Sequence, residues 1–186
     1  YKVEQKINAS NKTKCIELEL QANASLGNIY YTTDDRDPKE TSNLYKSPII
    51  VSKDITIRAA LYNNKELKGK ISVRNYVINK ATNKSITLKT PANKSYSGDG
   101  NFTLVNGVIG TLPRISNQWL GWNGKDLDAV VDLGKEENIS EITIGFLKEE
   151  LSWIYLPKDI EYLISMDGKN FTSVGKITSN DMSQER

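Results

Sequence analysis

Asn28-Ile-Tyr-Tyr-Thr-Thr33, continued by Asp34-Asp-Arg-Asp-Pro38, is the stretch that points most clearly to a fold class in this 186-residue chain. Its first part is rich in β-branched and aromatic residues, which fit a pleated, half-buried surface and indicate a strand. In the second part, the Asp carboxylates can hydrogen-bond the local backbone, so a turn is predicted there. The stretch therefore predicts a strand that ends in a polar turn.

Further strand patterns lie on both sides of this stretch. Cys15-Ile-Glu-Leu-Glu-Leu20 alternates strictly between apolar and polar residues, as a half-buried strand does. The other strands predicted in the first half are 47–51, 54–62 and 70–78, with a hairpin turn at Asn63-Asn64. This spacing, without helical periodicity, predicts a small antiparallel sandwich over residues 1–80. The polar segment 79–84 is predicted to be a linker.

The second half also predicts strands, and we assign residues 81–186 to a second all-β domain. Ile86-Thr-Leu-Lys-Thr90 is expected to be extended, and Ala129-Val-Val-Asp-Leu133 to be a strand ended by Gly134. Alternation over 139–146 indicates another strand. A last pair, 160–165 and 171–174, is joined by Asp167-Gly168, which is a strong hairpin signal. Tight or long polar turns are expected at 91–101 and 104–107.

The composition narrows the classes of function. The net charge is +2, and lysines and acids are interspersed, so no basic surface for nucleic acid or an anionic membrane is expected. No apolar run is long enough for a membrane span. The first ten residues lack the pattern of a signal peptide, and the chain does not begin with Met. We therefore expect a processed product or an excised piece of a larger protein.

The chain lacks the residues that most catalytic sites need. It contains one cysteine, Cys15, and no histidine, which excludes Ser-His-Asp and Cys-His catalysis and most zinc sites. Adjacent acids occur at 34–35, 136–137 and 149–150, all in polar, turn-like contexts, and we interpret them as solvated loops. No catalytic residue is predicted.

Two segments of the first half resemble a known family. Tyr30-Tyr-Thr-Thr-Asp-Asp-Arg-Asp-Pro38 and Leu44-Tyr-Lys-Ser-Pro-Ile49 resemble the small immunoglobulin-like domain near the C-terminus of bacterial chitobiases and β-hexosaminidases. That domain carries a pattern like Tyr-Tyr-Thr-x-Asp-Gly-Ser-x-Pro, followed by Tyr-x-x-Pro-Ile. The present chain departs from it at Asp35 and Arg36, which replace the common Gly-Ser and alter the turn. The resemblance spans roughly residues 12–79.

The second half resembles a discoidin domain, the jelly-roll fold of factor V/VIII type C. The segments that carry this resemblance are Leu104-Val-Asn-Gly107, Trp119, Asp128-Ala-Val-Val-Asp-Leu-Gly134 and Ser165-Met-Asp-Gly-Lys-Asn-Phe171. The resemblance implies that the closing strands of the jelly roll follow Arg186. The order of the two modules is similar to the C-terminal region of a family 20 glycoside hydrolase, a β-N-acetylhexosaminidase exported by Bacteroidetes. An extracytoplasmic location is implied as well.

The resemblance also suggests where a ligand would bind. Sugars are held by aromatic faces and a few polar groups, so we expect carbohydrate contacts from Trp122, Trp153, Tyr155 and Arg114 in loops. Lys148, Glu149 and Glu150 are further polar candidates, whereas Trp119 is expected to lie in the core. No cofactor is required. Asn106 stands where many discoidin domains use an Asp to hold structural Ca²⁺, and an amide oxygen can also ligate calcium.

Three functions follow from these patterns. The first is an accessory module that binds carbohydrate and keeps a catalytic domain close to its N-acetylhexosamine-containing glycan. The second is a purely structural module that packs on the catalytic barrel and stabilises or positions it. An independent enzyme is the least favoured, because a TIM barrel alone needs about 250 residues. The expected partners are thus the parent enzyme's catalytic domain and glycans.

Overall fold

The computed structural model describes residues 1–11, 14–23, 27–112 and 116–181. All regular elements in these ranges are strands and short 3-10 helices, and each ladder between neighbouring strands is antiparallel. The prediction of an all-β, antiparallel protein is confirmed. The chain divides into two compact units, residues 1–134 and residues 135–186. The domain boundary at residues 80–81 stays a prediction.

Seven strands form two sheets at the start of the first unit. They are β1 (Val3–Ala9), β2 (Ile16–Ala22), β3 (Asn28–Thr32), β4 (Asn43–Leu44), β5 (Ile49–Val51), β6 (Ile55–Asn63) and β7 (Glu66–Tyr76). One sheet has the order β1-β2-β5 and the other β4-β3-β6-β7. Inward residues of both sheets make one buried cluster, as in a β-sandwich. Its members are Val3, Ile16, Leu18, Leu20, Val51, Ile57, Ala59, Leu61 and Tyr76.

Strand β1 is an element that the sequence patterns did not reveal. Val3, Gln5 and Ile7 alternate along it, but the buried middle position is polar. Gln5 donates from Nε2 to the carbonyl oxygen of Ile57 at 3.1 Å, and it accepts from the Tyr76 hydroxyl at 2.9 Å. Burial raises the pKa of Tyr76, so the phenol stays protonated and acts as the donor. The buried amide is thus satisfied by partners from the opposite sheet.

Two turns of the sandwich depend on backbone with positive φ. Asn64 and Lys65, at the hairpin between β6 and β7, have φ of 50° and 66°, the sign needed at both central positions of a type I′ turn. Asp35 has φ of 60°. It stands where the resembling domains commonly have Gly, and Asp is among the residues that tolerate this conformation. Asp35 therefore adopts the left-handed conformation of this turn without a glycine.

The polar segment 79–84 is a packed turn and not an open linker. Thr82 is buried at 1% exposure, and its hydroxyl accepts from the backbone N–H of Asn79 at 2.9 Å. Asn83 donates from Nδ2 to the carbonyl oxygen of Ser10 at 2.6 Å. Short polar residues are common in linkers, but here they satisfy the backbone of a turn against the sandwich.

The remainder of the first unit, after the turn at 79–84, also contacts the sandwich. β8 (Ser85–Leu88) pairs with β9 (Ala129–Asp132), and 3-10 helices cover Lys94–Tyr96, Gly100–Leu104 and Ser116–Gln118. Phe102 and Val108 pack on the buried cluster of the sandwich. The backbone N–H of Val77 donates to the carbonyl oxygen of Gly107 at 2.8 Å. Residues 100–108 therefore complete the first core.

Among residues 135–181, β10 (Asp159–Ile164) and β11 (Thr172–Thr178) form a hairpin, as predicted. The alternating segment 139–146 has no ladder in the described part of this unit, so the strand expected there is not formed. Alternation gives a segment one apolar and one polar face, but a strand also needs a second strand to hydrogen-bond its backbone N–H and C=O groups. None of the side chains at residues 135–181 is buried.

Candidate functional site

The second unit presents a short loop that is closed by its own backbone. Glu149 and Ile154 exchange two hydrogen bonds, N–H to O at 3.0 Å and 3.2 Å. Between them runs the 3-10 helix Glu150–Ser152, after which the N–H of Trp153 donates to the carbonyl oxygen of Glu150 at 3.0 Å. These bonds fix the loop locally, so its side chains are held on a defined backbone.

Trp153 is the most unusual residue of this loop. Its φ of 60° and ψ of 31° place a bulky side chain in the left-handed region at the C-cap of this 3-10 helix, a conformation that costs of order 1–3 kcal/mol for a residue other than glycine. The indole is nevertheless 82% exposed, so burial in this unit does not compensate the cost. An exposed aromatic on strained backbone is a candidate contact for a ligand or partner.

Two neighbours extend the exposed surface of the loop. Tyr155 is 60% exposed, while Ile154 between the two aromatics is half-buried. The structure thus brings two of the predicted carbohydrate contacts, Trp153 and Tyr155, onto one short segment. Leu151 is 99% exposed and was not singled out from the sequence. In the sequence it is only an apolar residue between Glu150 and Trp153, and that position does not indicate whether the side chain is exposed.

The charged candidates beside the loop have partners of their own. Lys148 Nζ lies 3.2 Å from Glu150 Oε1, and both side chains are about half exposed. Glu149 is held by the loop closure just described. An exposed ion pair adds little stability, but it places a donor and an acceptor beside Trp153 in the sequence.

The other two tryptophans belong to the first unit and are half-buried. Trp122 donates its indole N–H to the carbonyl oxygen of Thr90 at 3.0 Å. Trp119 packs on Gly110, where an added Cβ would lie 2.4 Å from the indole ring. Its indole N–H is buried and has no partner among the described residues. Both indoles therefore take part in packing, but neither belongs to the buried cluster of the sandwich, and the core position expected for Trp119 stays a prediction.

The remaining predicted site residues are Arg114 and Asn106. Arg114 lies outside the described residues. Asn106 is 2% exposed, and its Oδ1 accepts from the backbone N–H of Val108 at 2.9 Å, which stabilises the turn at Gly107. Within the described ranges, no group of three or more Asp, Glu, His or Cys side chains could hold a metal ion. A calcium-binding role for Asn106 stays a prediction.

The acid pair at 34–35 is exposed. A side-chain hydrogen bond from Arg36 lowers the pKa of Asp34, so this carboxyl is ionised at neutral pH. A general acid needs the opposite shift. The geometry thus favours a structural role for Asp34 in the turn after β3.

Comparison with known proteins adds information on the first sandwich. Residues 18–76 match the Fn3 associated family. The match covers β3 to β7 and most of β2, and it indicates a fibronectin-III-like accessory domain. No curated protein matches the chain. The part of the chain that the structure describes has no helix with the length and hydrophobicity of a membrane span.

Proposed function

We propose that this chain is a non-catalytic accessory region of a larger, extracytoplasmic β-N-acetylhexosaminidase of glycoside hydrolase family 20, and that the loop 149–155 binds its glycan. The Fn3 associated match supports the accessory half of this proposal. The parent activity rests on the resemblance of the two modules and on their order. Binding near the substrate would raise its effective concentration at the catalytic domain.

The exposure of Trp153 on left-handed backbone is the observation that carries the glycan site. The C–H face of a pyranose ring is apolar, so it packs on an aromatic face, while hydroxyl groups need nearby polar partners. Trp153 and Tyr155 supply the faces, and the carboxylate of Glu150 and the amine of Lys148 supply an acceptor and a donor. Because the loop is closed by backbone bonds, little ordering would be needed on binding.

A second candidate is a docking surface for the catalytic barrel. It is favoured by Leu151, which is almost fully exposed and cannot stack on a sugar as an aromatic ring does. It also agrees with the lack of any buried side chain in residues 135–181. Exposed apolar surface of this kind commonly marks a protein interface.

The test is a titration of this chain with N-acetylglucosamine, galactose and chitin oligosaccharides, followed by tryptophan fluorescence and calorimetry. We expect saturable binding that Trp153→Ala abolishes and Trp153→Phe largely keeps. Leu151→Ala is the matched control in the same loop, and it should leave sugar binding unchanged. Trp122→Phe should also leave it unchanged, because that indole is held by packing.

The two candidates give Leu151 different roles. Its side chain is not needed for sugar binding, whereas it would be covered by the barrel in a docking surface. If no sugar binds, glycan binding by this loop is wrong for these ligands. Hydrogen exchange in the complete parent enzyme then tests docking, because packing on the barrel would protect the backbone of 149–155 relative to the isolated chain. Cell fractionation of the source bacterium tests the extracytoplasmic location.

A further inference from the structure

A polar groove lies at one end of the four-stranded sheet of the first sandwich, in a different unit from the loop 149–155. Its volume is about 550 Å³, which is in the range of small-molecule sites. It is formed by the turn after β3, the turn before β6 and the end of β7. The lining residues that matter here are Thr33, Asp35, Lys53, Asp54, Thr56 and Asn75.

The backbone on the β3 side of this groove is held by hydrogen bonds. The N–H of Arg36 donates to Asp34 Oδ1 at 3.3 Å, and the Thr32 hydroxyl donates to the carbonyl oxygen of Arg36 at 2.5 Å. Asp35 lies between these contacts, with its φ of 60°. Its carboxylate is therefore carried on a defined turn at the rim of the groove.

The other side of the groove is also ordered by contacts between its lining residues and the chain. The Thr56 hydroxyl donates to Asn75 Oδ1 at 3.0 Å, which leaves the two N–H groups of the Asn75 amide as donors. Asp54 accepts from the N–H of Ile78 at 2.8 Å through Oδ1. Hydroxyl, amide and carboxylate groups are thus placed side by side at the groove.

Asp35 and Lys53 line the same groove, but neither forms an ion pair or hydrogen bond with any described residue. One is an acceptor only, and the other is a donor only. Sugar hydroxyls both donate and accept, so they can bridge such a pair. The groove carries the carboxylates of Asp35 and Asp54 beside the ammonium of Lys53, so an anionic ligand is repelled by the first two and a cationic ligand by the third.

We propose that this groove binds a neutral mono- or disaccharide through hydrogen bonds to Asp35, Lys53 and Asn75, independently of the loop aromatics. Tyr76 also lines the groove but is 1% exposed, so it offers no stacking face. Binding without stacking is expected to be weak, with a Kd in the millimolar range. The chain would then contact glycan at two separate places, one in each unit.

The test is an amide NMR titration of the full chain with methyl glucoside, methyl galactoside, methyl mannoside and N-acetylglucosamine. We expect saturable shifts at the amides of 33–35, 53–56 and 75–76 for at least one of these sugars. Asp35→Asn keeps a residue that tolerates positive φ and removes the charge, and it should weaken binding roughly tenfold. Glu40→Gln, which removes an exposed charge beyond the groove, should leave the affinity unchanged.

Several outcomes would overturn the proposal. They are an absence of shifts at the groove with all four sugars, equal affinity of Asp35→Asn and the unaltered chain, or tighter binding of glucosamine or glucuronate than of the neutral sugars. Trp153→Ala separates the two sites, because groove shifts should persist in that variant. Shifts confined to 149–155 would support the loop site and sink the groove site.

Discussion

The carbonyl oxygen of Tyr1 lies 1.9 Å from the position that a Cβ on Gly69 would occupy. Gly69 also has φ of 82°, a conformation that side chains rarely adopt. The backbone N–H of the neighbouring Lys70 donates to the same Tyr1 oxygen at 3.4 Å, and Lys2 and Lys70 form an isolated parallel β-bridge. The start of the chain thereby joins the edge of β7, so that two edges of the sandwich are linked where they would otherwise be open.

Gly69→Ala is expected to destabilise the first sandwich by at least about 2 kcal/mol, since it combines a backbone clash with a strained φ. Urea unfolding measures this change. Gly100→Ala is the control, because Gly100 shares the positive φ of 72° but has open space around its Cβ position. It should cost only about 1 kcal/mol. Equal losses for the two variants would show that Tyr1 does not pack against Gly69 in solution.

The buried contact between Gln5 and Tyr76 gives a second prediction. Gln5→Ala removes the acceptor of the Tyr76 hydroxyl and should cost about 2–3 kcal/mol, because a buried donor is left unsatisfied. Tyr76→Phe should cost less than that. In the double variant, the loss in the free energy of unfolding should be smaller than the sum of the two single losses, by a coupling energy of about 1 kcal/mol. Simple additivity in urea unfolding would contradict the contact.

The strands of the first sandwich could be read from the sequence because their apolar residues alternate, as in β2, and because turn residues separate them. β1 was not predicted, because Gln5 interrupts its apolar face. The buried amide is satisfied there only by hydrogen bonds to residues that lie 52 and 71 positions away in the sequence. Contacts of that range are invisible to a local pattern. The segment 139–146 shows the reverse, because its local alternation predicts a strand, but no described strand pairs with it.

The candidate site was predictable only in part, for a related reason. The sequence predicts Trp122, Trp153 and Tyr155 equally as carbohydrate contacts, because each is an aromatic residue beside turn-like residues. Exposure depends on the remaining chain, and it separates the half-buried Trp122 from the two exposed loop residues. The groove at Asp35 had no motif at all, because its lining residues come from three distant segments.

Phe102 tests whether the first sandwich depends on the second half of the chain. Its side chain packs on the buried cluster, so Phe102→Ala should destabilise that sandwich by about 2 kcal/mol, less than the roughly 3–5 kcal/mol of a fully buried Phe. Hydrogen exchange at the amides of Leu18 and Ile57 reports on this core. Phe171→Ala, at a residue 41% exposed in the second unit, should leave that exchange unchanged. If Phe102→Ala also leaves it unchanged, the Phe102 side chain does not support this core in solution.

The hairpin between β10 and β11 should depend on pH through Asp167. Its carboxylate accepts from the backbone N–H groups of Asn170 and Lys169, each at 2.8 Å. These bonds, with that from Asn170 the largest contribution, hold the pKa of Asp167 well below its ordinary 3.8. Because the folded pKa is the lower one, ionised Asp167 stabilises the hairpin fully above the ordinary pKa. That stabilisation is lost as the pH falls further below it.

Carboxyl carbon NMR measures this directly. At about pH 3, an ordinary Asp is mostly protonated, whereas Asp167 should remain ionised. Asp167→Asn should weaken the hairpin at neutral pH and remove this part of its acid sensitivity, while Glu161→Gln, at an exposed acid of β10, should do neither. An Asp167 that titrates near 3.8 would mean that the backbone N–H groups of Lys169 and Asn170 do not bind its carboxylate in solution. The turn would then rest on the left-handed Gly168, whose φ is 68°, and on the Ser165 hydroxyl, which accepts from the N–H of Gly168 at 2.9 Å.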